Sequence, residues 1–162
     1  MKFARTIRFD KSDLNIFPLA SEEGELAVVG TFNFYNFEPE DLKGKVKQAF
    51  SNGFMGCKTF GYSTLVSLVN VSDEDLEELK NDLGQYLMDK YGAPTKEIAT
   101  KAASEEISLM LELCKDHEKG SLLSISREWT KEGIKEKYRN LPKAESCAEQ
   151  KIWTVVEEDY LK

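Results

Sequence analysis

A single histidine, His117, stands in 162 residues, so no mechanism that needs two imidazoles is open to this chain. Asp116 and Glu118 could orient it as a base, but no Gly-x-Ser-x-Gly elbow supplies a nucleophile, and a solvated helix end accounts for it. Cysteine is almost as scarce. Cys57, Cys114 and Cys147 are odd in number and widely spaced, which does not fit an extracellular disulfide framework and predicts reduced thiols. They also lack the close pairing of zinc knuckles. Cys114, three residues before His117, continues an apolar helical stripe and reads as a small core residue, so no metal or other cofactor is expected. Nothing approaches the ~20 apolar residues that cross a bilayer. Residues 1–10 alternate apolar side chains with arginine and hold no continuous apolar stretch of a secretory signal. A cytoplasmic protein without a membrane partner is expected. Glycine is never followed by Gly-Lys-Ser/Thr, which removes the nucleotide loop.

What is present is the composition of a folded domain. Hydrophobic residues make up 41% and charged residues 31%, and a chain of this length buries a core without staples, so residues 1–162 read as one domain. The formal net charge of −7 disfavours nucleic acid, whose binding draws on clustered Lys and Arg. One stretch is locally basic: Arg127, Lys131, Lys135, Lys137, Arg139 and Lys143. Glu128, Glu132 and Glu136 lie among them, and the run reads as a mixed, solvated helix face.

The chain is organised around residues 59–94. Residues 62–71 are rich in β-branched and aliphatic side chains and predict a strand buried on both faces. Ser72 then caps a helix whose first turn is acidic, whose stripe is Leu76, Leu79, Leu83, Tyr86 and Leu87, and which Gly92 and Pro94 end. Before this unit, period-2 alternation predicts a strand at 1–10, a connection over 11–24, and a long strand at 25–37 interrupted by Gly30, where a bulge or another backbone is expected. Pro39 opens a helix through Phe50. After it, residues 95–117 predict a helix with Ala99, Ala103, Ile107, Met110, Leu111 and Cys114 buried. Residues 122–129 alternate as a strand, Thr130 caps a short helix through Asn140, and 152–156 form a last strand. The order β-β-α-β-α-α-β-α-β predicts an α+β domain, a largely antiparallel sheet covered by helices.

The least ordinary stretch is 52–62, where Gly53, Gly56 and Gly61 alternate with Phe54, Phe60 and Tyr62. Sharp backbone turns beside large side chains can line an interface or a pocket, or fold back into the core. Cys57, next to Lys58, is the best single nucleophile, because a nearby cation lowers a thiol pKa. Arg5, a cation among apolar neighbours on the first strand, and Arg127 are the two guanidinium groups that could hold an anion.

Residues 2–13, Lys-Phe-Ala-Arg-Thr-Ile-Arg-Phe-Asp-Lys-Ser-Asp, resemble the opening of a family of uncharacterised, mainly alphaproteobacterial proteins of similar length. Phe32-Asn33-Phe34-Tyr35-Asn36-Phe37, Asp41-Leu42-Lys43-Gly44-Lys45, Gln48-Ala49-Phe50-Ser51-Asn52-Gly53 and Phe60-Gly61 resemble its later segments in order. The resemblance implies genes near those of molybdenum-dependent formate dehydrogenase and an accessory role in maturing such an enzyme; it carries over no catalytic residue. The expectation is therefore a non-catalytic accessory protein that binds a protein partner and forms a homodimer, through Gly53, Phe54, Gly56, Phe60, Gly61 and Tyr62. The alternative is a small anion- or metabolite-binding protein or enzyme, with Arg5 or Arg127 beside Cys57 and Tyr62.

Overall fold

The computed structural model describes residues 1–8 and 12–141. The expected strand at 152–156, the loop at 142–150 and Cys147 lie outside the described residues. Seven strands form one antiparallel, curled sheet: β1 (Lys2–Ile7), β2 (Leu26–Val28), β3 (Phe54–Gly56), β4 (Tyr62–Ser63), β5 (Leu65–Asn70), β6 (Leu122–Thr130) and β7 (Gly133–Leu141), in the spatial order β4-β3-β2-β1-β5-β6-β7. Among the described residues four α-helices accompany it: α1 (Ser12–Ile16), α2 (Gly44–Asn52), α3 (Asp73–Tyr91) and α4 (Lys96–Cys114). The α+β class is as expected. No helix among the described residues is long and apolar enough to cross a membrane.

The helices that read most clearly in sequence form for the reasons given. Ser72 Oγ accepts from Asp75 N at 3.1 Å while Asp75 returns a bond to Ser72 N, a reciprocal cap on α3, and Gly92 ends the helix at φ 67°. Thr95 caps α4 in one direction only, its Oγ1 accepting from Ile98 N at 3.1 Å. The two helices pack closely where Gly84 faces Ala99, since a Cβ at Gly84 would lie only 3.9 Å from Ala99 backbone. Leu79, Leu83, Ala99, Ala103, Ile107, Met110 and Cys114 close over the strand residues Phe3, Ala4, Val28, Phe54, Val66, Leu68 and Leu123, making the larger core. A second, aromatic cluster of Phe17, Phe34 and Phe50, with Trp129 and Ile134 against it, gathers around α2.

Four expectations are corrected. The strand at 25–37 ends at Val28: Gly30 sits at φ 84°, a Cβ there would meet Met55 Cβ at 2.8 Å, and Thr31–Phe34 turn into a 3-10 helix. The helix over 39–50 begins as a separate 3-10 turn at Pro39–Asp41, and α2 proper starts at Gly44. The helix over 130–140 is strand β7. Thr130 and Gly133 close a tight turn, with Thr130 Oγ1 donating to Gly133 O at 2.7 Å and Gly133 at φ 111°, and the residues beyond pair with β6 along its whole length. The central strand is divided at Thr64 into β4 and β5, and only Val66 and Leu68 of β5 are fully buried.

The curl arises in the β6–β7 hairpin. Strand β6 pairs with β5 only through Leu122–Ser124, although it pairs with β7 from end to end. Beyond Ser124 its side towards β5 is free, and the end of α2 takes that place: Asn52 Nδ2 donates to Ile125 O at 3.1 Å.

Candidate functional site

The glycine-aromatic segment is built around one carboxylate. Glu25, 5% exposed, accepts Lys58 N (2.8 Å) and Thr59 N (2.9 Å) on Oε1, and Glu22 N (2.6 Å) and Thr59 Oγ1 (2.6 Å) on Oε2. Gly56 makes room for it, because a Cβ there would lie 2.5 Å from Glu25 Oε1. Gly61 passes equally close to Ala20, within 2.5 Å of where its Cβ would stand, as the chain bridges to Tyr62. Between them Phe60 is held at φ 61°, a conformation that costs a side-chain-bearing residue roughly 1–2 kcal/mol. Its ring stacks on Tyr86 with centroids 4.0 Å apart.

Phe54 has no exposed surface, and Gly53, Gly56, Cys57 and Gly61 are buried with it. Cys57 is not an activated thiol. Burial, then Glu25, push its pKa well above the ordinary value, and its Sγ faces Met55 O. The expected cation is turned away: Lys58 Nζ reaches Asp82 at 2.8 Å and also Glu78 on α3. A cavity of about 200 Å³ opens beside this loop, below the volumes of ordinary ligand pockets, and Asp75, Glu78 and Asp82 on its rim repel an anion.

Tyr62 belongs to a hub that sequence reasoning did not single out. Asn33, 8% exposed, donates to Tyr62 OH (3.1 Å) and Met55 Sδ (2.8 Å), while its Oδ1 accepts Tyr86 OH (3.2 Å) and Tyr91 OH (2.5 Å). Burial raises the pKa of all three phenols, so they serve as neutral hydrogen-bonding groups that tie α3 to the sheet.

Arg127 occupies the middle of β6 and is 4% exposed. No carboxylate among the described residues hydrogen-bonds or ion-pairs with it directly. Its Nη1 donates to the carbonyls of Phe50 (2.8 Å), Gly53 (2.9 Å) and Ala49 (3.3 Å), its Nη2 to Val29 O, and its Nε to Thr31 Oγ1 (2.7 Å). The last carbonyls of α2 lack partners within the helix and carry the negative end of its dipole, so a guanidinium is the side chain that suits them. Phe34 lies beneath it, 5.5 Å from ring centre to Cζ. Burial lowers the Arg127 pKa to about 10, still well above neutrality. The chain itself thus uses the donors that might have held an anion.

The charge of Arg127 is relayed outward. Thr31 Oγ1 donates to Glu136 Oε2 and Tyr138 OH donates to Glu136 Oε1 at 2.7 Å. Glu106 of α4 joins this group electrostatically. Burial first and Glu136 second, opposed by Arg127, raise its pKa from 4.5 to about 7. The folded chain therefore keeps a proton that the unfolded chain releases, and the associated stability is complete below pH 4.5 and lost as pH rises through 7. Glu106→Gln is expected to stabilise the fold by about 2–3 kcal/mol at pH 8 and by almost nothing at pH 4. Urea denaturation at the two pH values measures this, and an equal effect at both would refute the assignment.

The remaining feature is the sheet edge. Among the described residues β7 pairs with β6 alone, leaving nine residues of main chain with one side open. Ile134, Glu136 and Tyr138 turn inward opposite Trp129, Arg127 and Ile125, whereas Lys135, Lys137 and Arg139 are exposed opposite Glu128, Ser126 and Ser124. A groove of about 730 Å³ lies against the hairpin, lined in part by Asn52, Ser124, Ser126, Lys137 and Arg139. The helical reading puts these charges on one face; a strand, with its period of two, sets Lys135, Lys137 and Arg139 of β7 on one side and Glu136 on the other. Of the residues expected to form a site, Gly53, Tyr62 and Arg127 meet around the end of α2. Cys57 stands apart behind Glu25, and Arg5 is exposed on β1 between Leu26 and Ser67.

Among known proteins, the model of a family of unknown function (DUF6505) matches residues 1–157. No curated protein and no solved structure matches the chain.

Proposed function

We propose that the chain, which belongs to this family of unknown function over nearly all of its length, is a non-catalytic accessory protein that takes a protein partner along β7. The observation that carries this reading is the edge of β7: among the described residues this nine-residue strand pairs with β6 alone, and the main-chain groups of alternate residues point away from β6 beside a polar groove. Edges of this kind pair with an added strand unless something blunts or covers them. The buried groups with chemistry to offer support it from the other side, because Glu25, Asn33 and Arg127 are each bonded within the chain and Cys57 is a buried neutral thiol. The glycine-aromatic segment then serves the partner surface indirectly, by fixing α2 and the sheet from which the hairpin projects.

The resemblance of the sequence supplies the partner to try first, a molybdenum and iron–sulfur enzyme or one of its assembly factors in the cytoplasm. Affinity purification of the tagged chain at native expression, after lysine cross-linking, is expected to recover a stoichiometric partner linked through Lys131, Lys135 or Lys137. Recovery of the chain alone with a bound small molecule, or cross-links confined to α3 and α4, would defeat the proposal.

A further inference from the structure

We infer that β7 accepts an extended acidic segment of a partner protein as an added strand, its carboxylates lying over Lys137 and Arg139. This rests on the reading of β7 as the docking edge and adds the chemistry of what docks there. Pairing with β6 sets Lys135, Lys137 and Arg139 on one face, since residues at alternate positions of a strand stand together. Lys135 already has carboxylates, Glu128 across the ladder and Glu132 at 3.5 Å. Lys137 and Arg139 are exposed, face Ser126 and Ser124, and have no ion-pair partner among the described residues. No carboxylate of the described residues lines the groove beside them.

A strand laid on the open side of β7 places every second side chain roughly 5 Å from these cations, where opposite charges stabilise the pair and like charges oppose it. Main-chain bonds would supply affinity and the two cations selectivity. A second copy of this chain is the wrong occupant. In the two-fold antiparallel pairing centred on Lys137, which keeps the cationic face continuous, Lys135 meets Arg139 and Lys137 meets its own copy, and a shift of the centre by one residue still sets two of the three cations against cations. A homodimer, if formed, would have to use another surface. The net charge of −7 works against an acidic partner only at a distance, because at about 0.1 M salt charges beyond ~10 Å are screened and the contact pairs decide.

The test uses the full chain and a fluorescent peptide of the pattern Thr-Glu-Val-Glu-Thr-Glu-Val-Glu, with a twin in which every Glu is Lys. Anisotropy is expected to show the acidic peptide binding at least about tenfold more tightly than its twin, a gap of about 1.4 kcal/mol. The preference should reverse in the double variant Lys137→Glu, Arg139→Glu. Methylating alternate backbone nitrogens of the peptide should abolish binding in one register and spare it in the other, and this arm needs no change to the protein. Hydrogen exchange should slow within β7 when the peptide binds. Equal affinity of the two peptides, with methylation still selective, would overturn the acidic partner and leave the docking edge standing. Amides of β7 already protected in the dilute free chain, or protected increasingly as the chain is concentrated alone, would overturn both. Tighter binding of a single-stranded oligonucleotide at the same cations would overturn the inference in favour of a nucleic acid.

Discussion

Replacing Arg127 with methionine is expected to lower the folding free energy by about 3–5 kcal/mol, enough to bring the midpoint of thermal unfolding down by roughly 10 °C. Methionine keeps much of the stem and introduces no charge, so the loss isolates the guanidinium, its place over the Phe34 ring included. Buried ion pairs can often be replaced by apolar side chains at little cost, because both partners leave together. Here they cannot: the acceptors are the carbonyls of Ala49, Phe50, Gly53 and Val29, which remain behind in a water-poor interior whatever side chain is placed at 127. Ala49 O retains its bond from Gly53 N, but the other contacts to the guanidinium are lost together. Arg127→Lys should recover less than half of the loss, since an ammonium is a compact donor and cannot span the end of α2, Val29 and Thr31 at once. Denaturant titration gives the free energies. Hydrogen exchange should show α2 and the β6–β7 hairpin opening first, with α3 and α4 unaffected at low denaturant. A methionine variant within about 1 kcal/mol of the parent would mean that the curl of the sheet is held by packing around Phe50 and Trp129, whose rings lie 6.0 Å apart, and not by this side chain.

The contrast between what could and could not be read in the sequence follows from how far each interaction reaches along the chain. Helices α3 and α4 were legible because their signals are local. A cap acts three residues away, an apolar stripe four, and a stop signal at the next residue, as Ser72, the Leu79–Leu83–Leu87 row and Gly92 illustrate. At 130–140 the local signal was ambiguous. Ile134, Tyr138 and Leu141 suit a helix, and the alternation of Ile134, Glu136 and Tyr138 with Lys135, Lys137 and Arg139 suits a strand equally well. Pairing with β6 decided between them, and with it decided whether the cations form a stripe or a mixture. Gly30 lies against Met55, Cβ first and backbone next, but its positive φ also ends the strand, which the apolar residues on either side do not signal. The binding-site candidates Phe54, Phe60 and Tyr62 were recognisable as unusual, whereas the reason for them was not. Glu25 is an unremarkable residue at the start of a strand, and its acceptors are matched to donors 33 and 34 residues later. Gly56 is the trace of that match in the sequence, and a glycine says that space is needed without saying what fills it.

Glu25→Ala is the second change from which a large loss is expected, about 3–5 kcal/mol, and it can be separated from ordinary truncation of a buried side chain. Three backbone N–H groups, of Glu22, Lys58 and Thr59, and the hydroxyl of Thr59 converge on this carboxylate. Removing it leaves them facing one another, and the turn that holds Phe60 at φ 61° loses its anchor. Glutamine is no remedy, because both carboxylate oxygens accept, and an amide nitrogen in either place points a donor at donors. Gly56 supplies the control. A Cβ at this position would come within 2.5 Å of Glu25 Oε1, so Gly56→Ala is expected to destabilise the parent by about 2 kcal/mol through collision with the carboxylate. In a chain already carrying Glu25→Ala the three atoms nearest that Cβ, all of the Glu25 carboxylate, are gone, and the same substitution should cost little. The double variant should therefore be more stable than the sum of the two losses by at least about 1 kcal/mol, a coupling that independent sites do not produce. Strict additivity in the denaturation free energies would show that Gly56 is required for its backbone or for a different neighbour, and that the loop from 56 to 61 is shaped by its own glycines and not by Glu25.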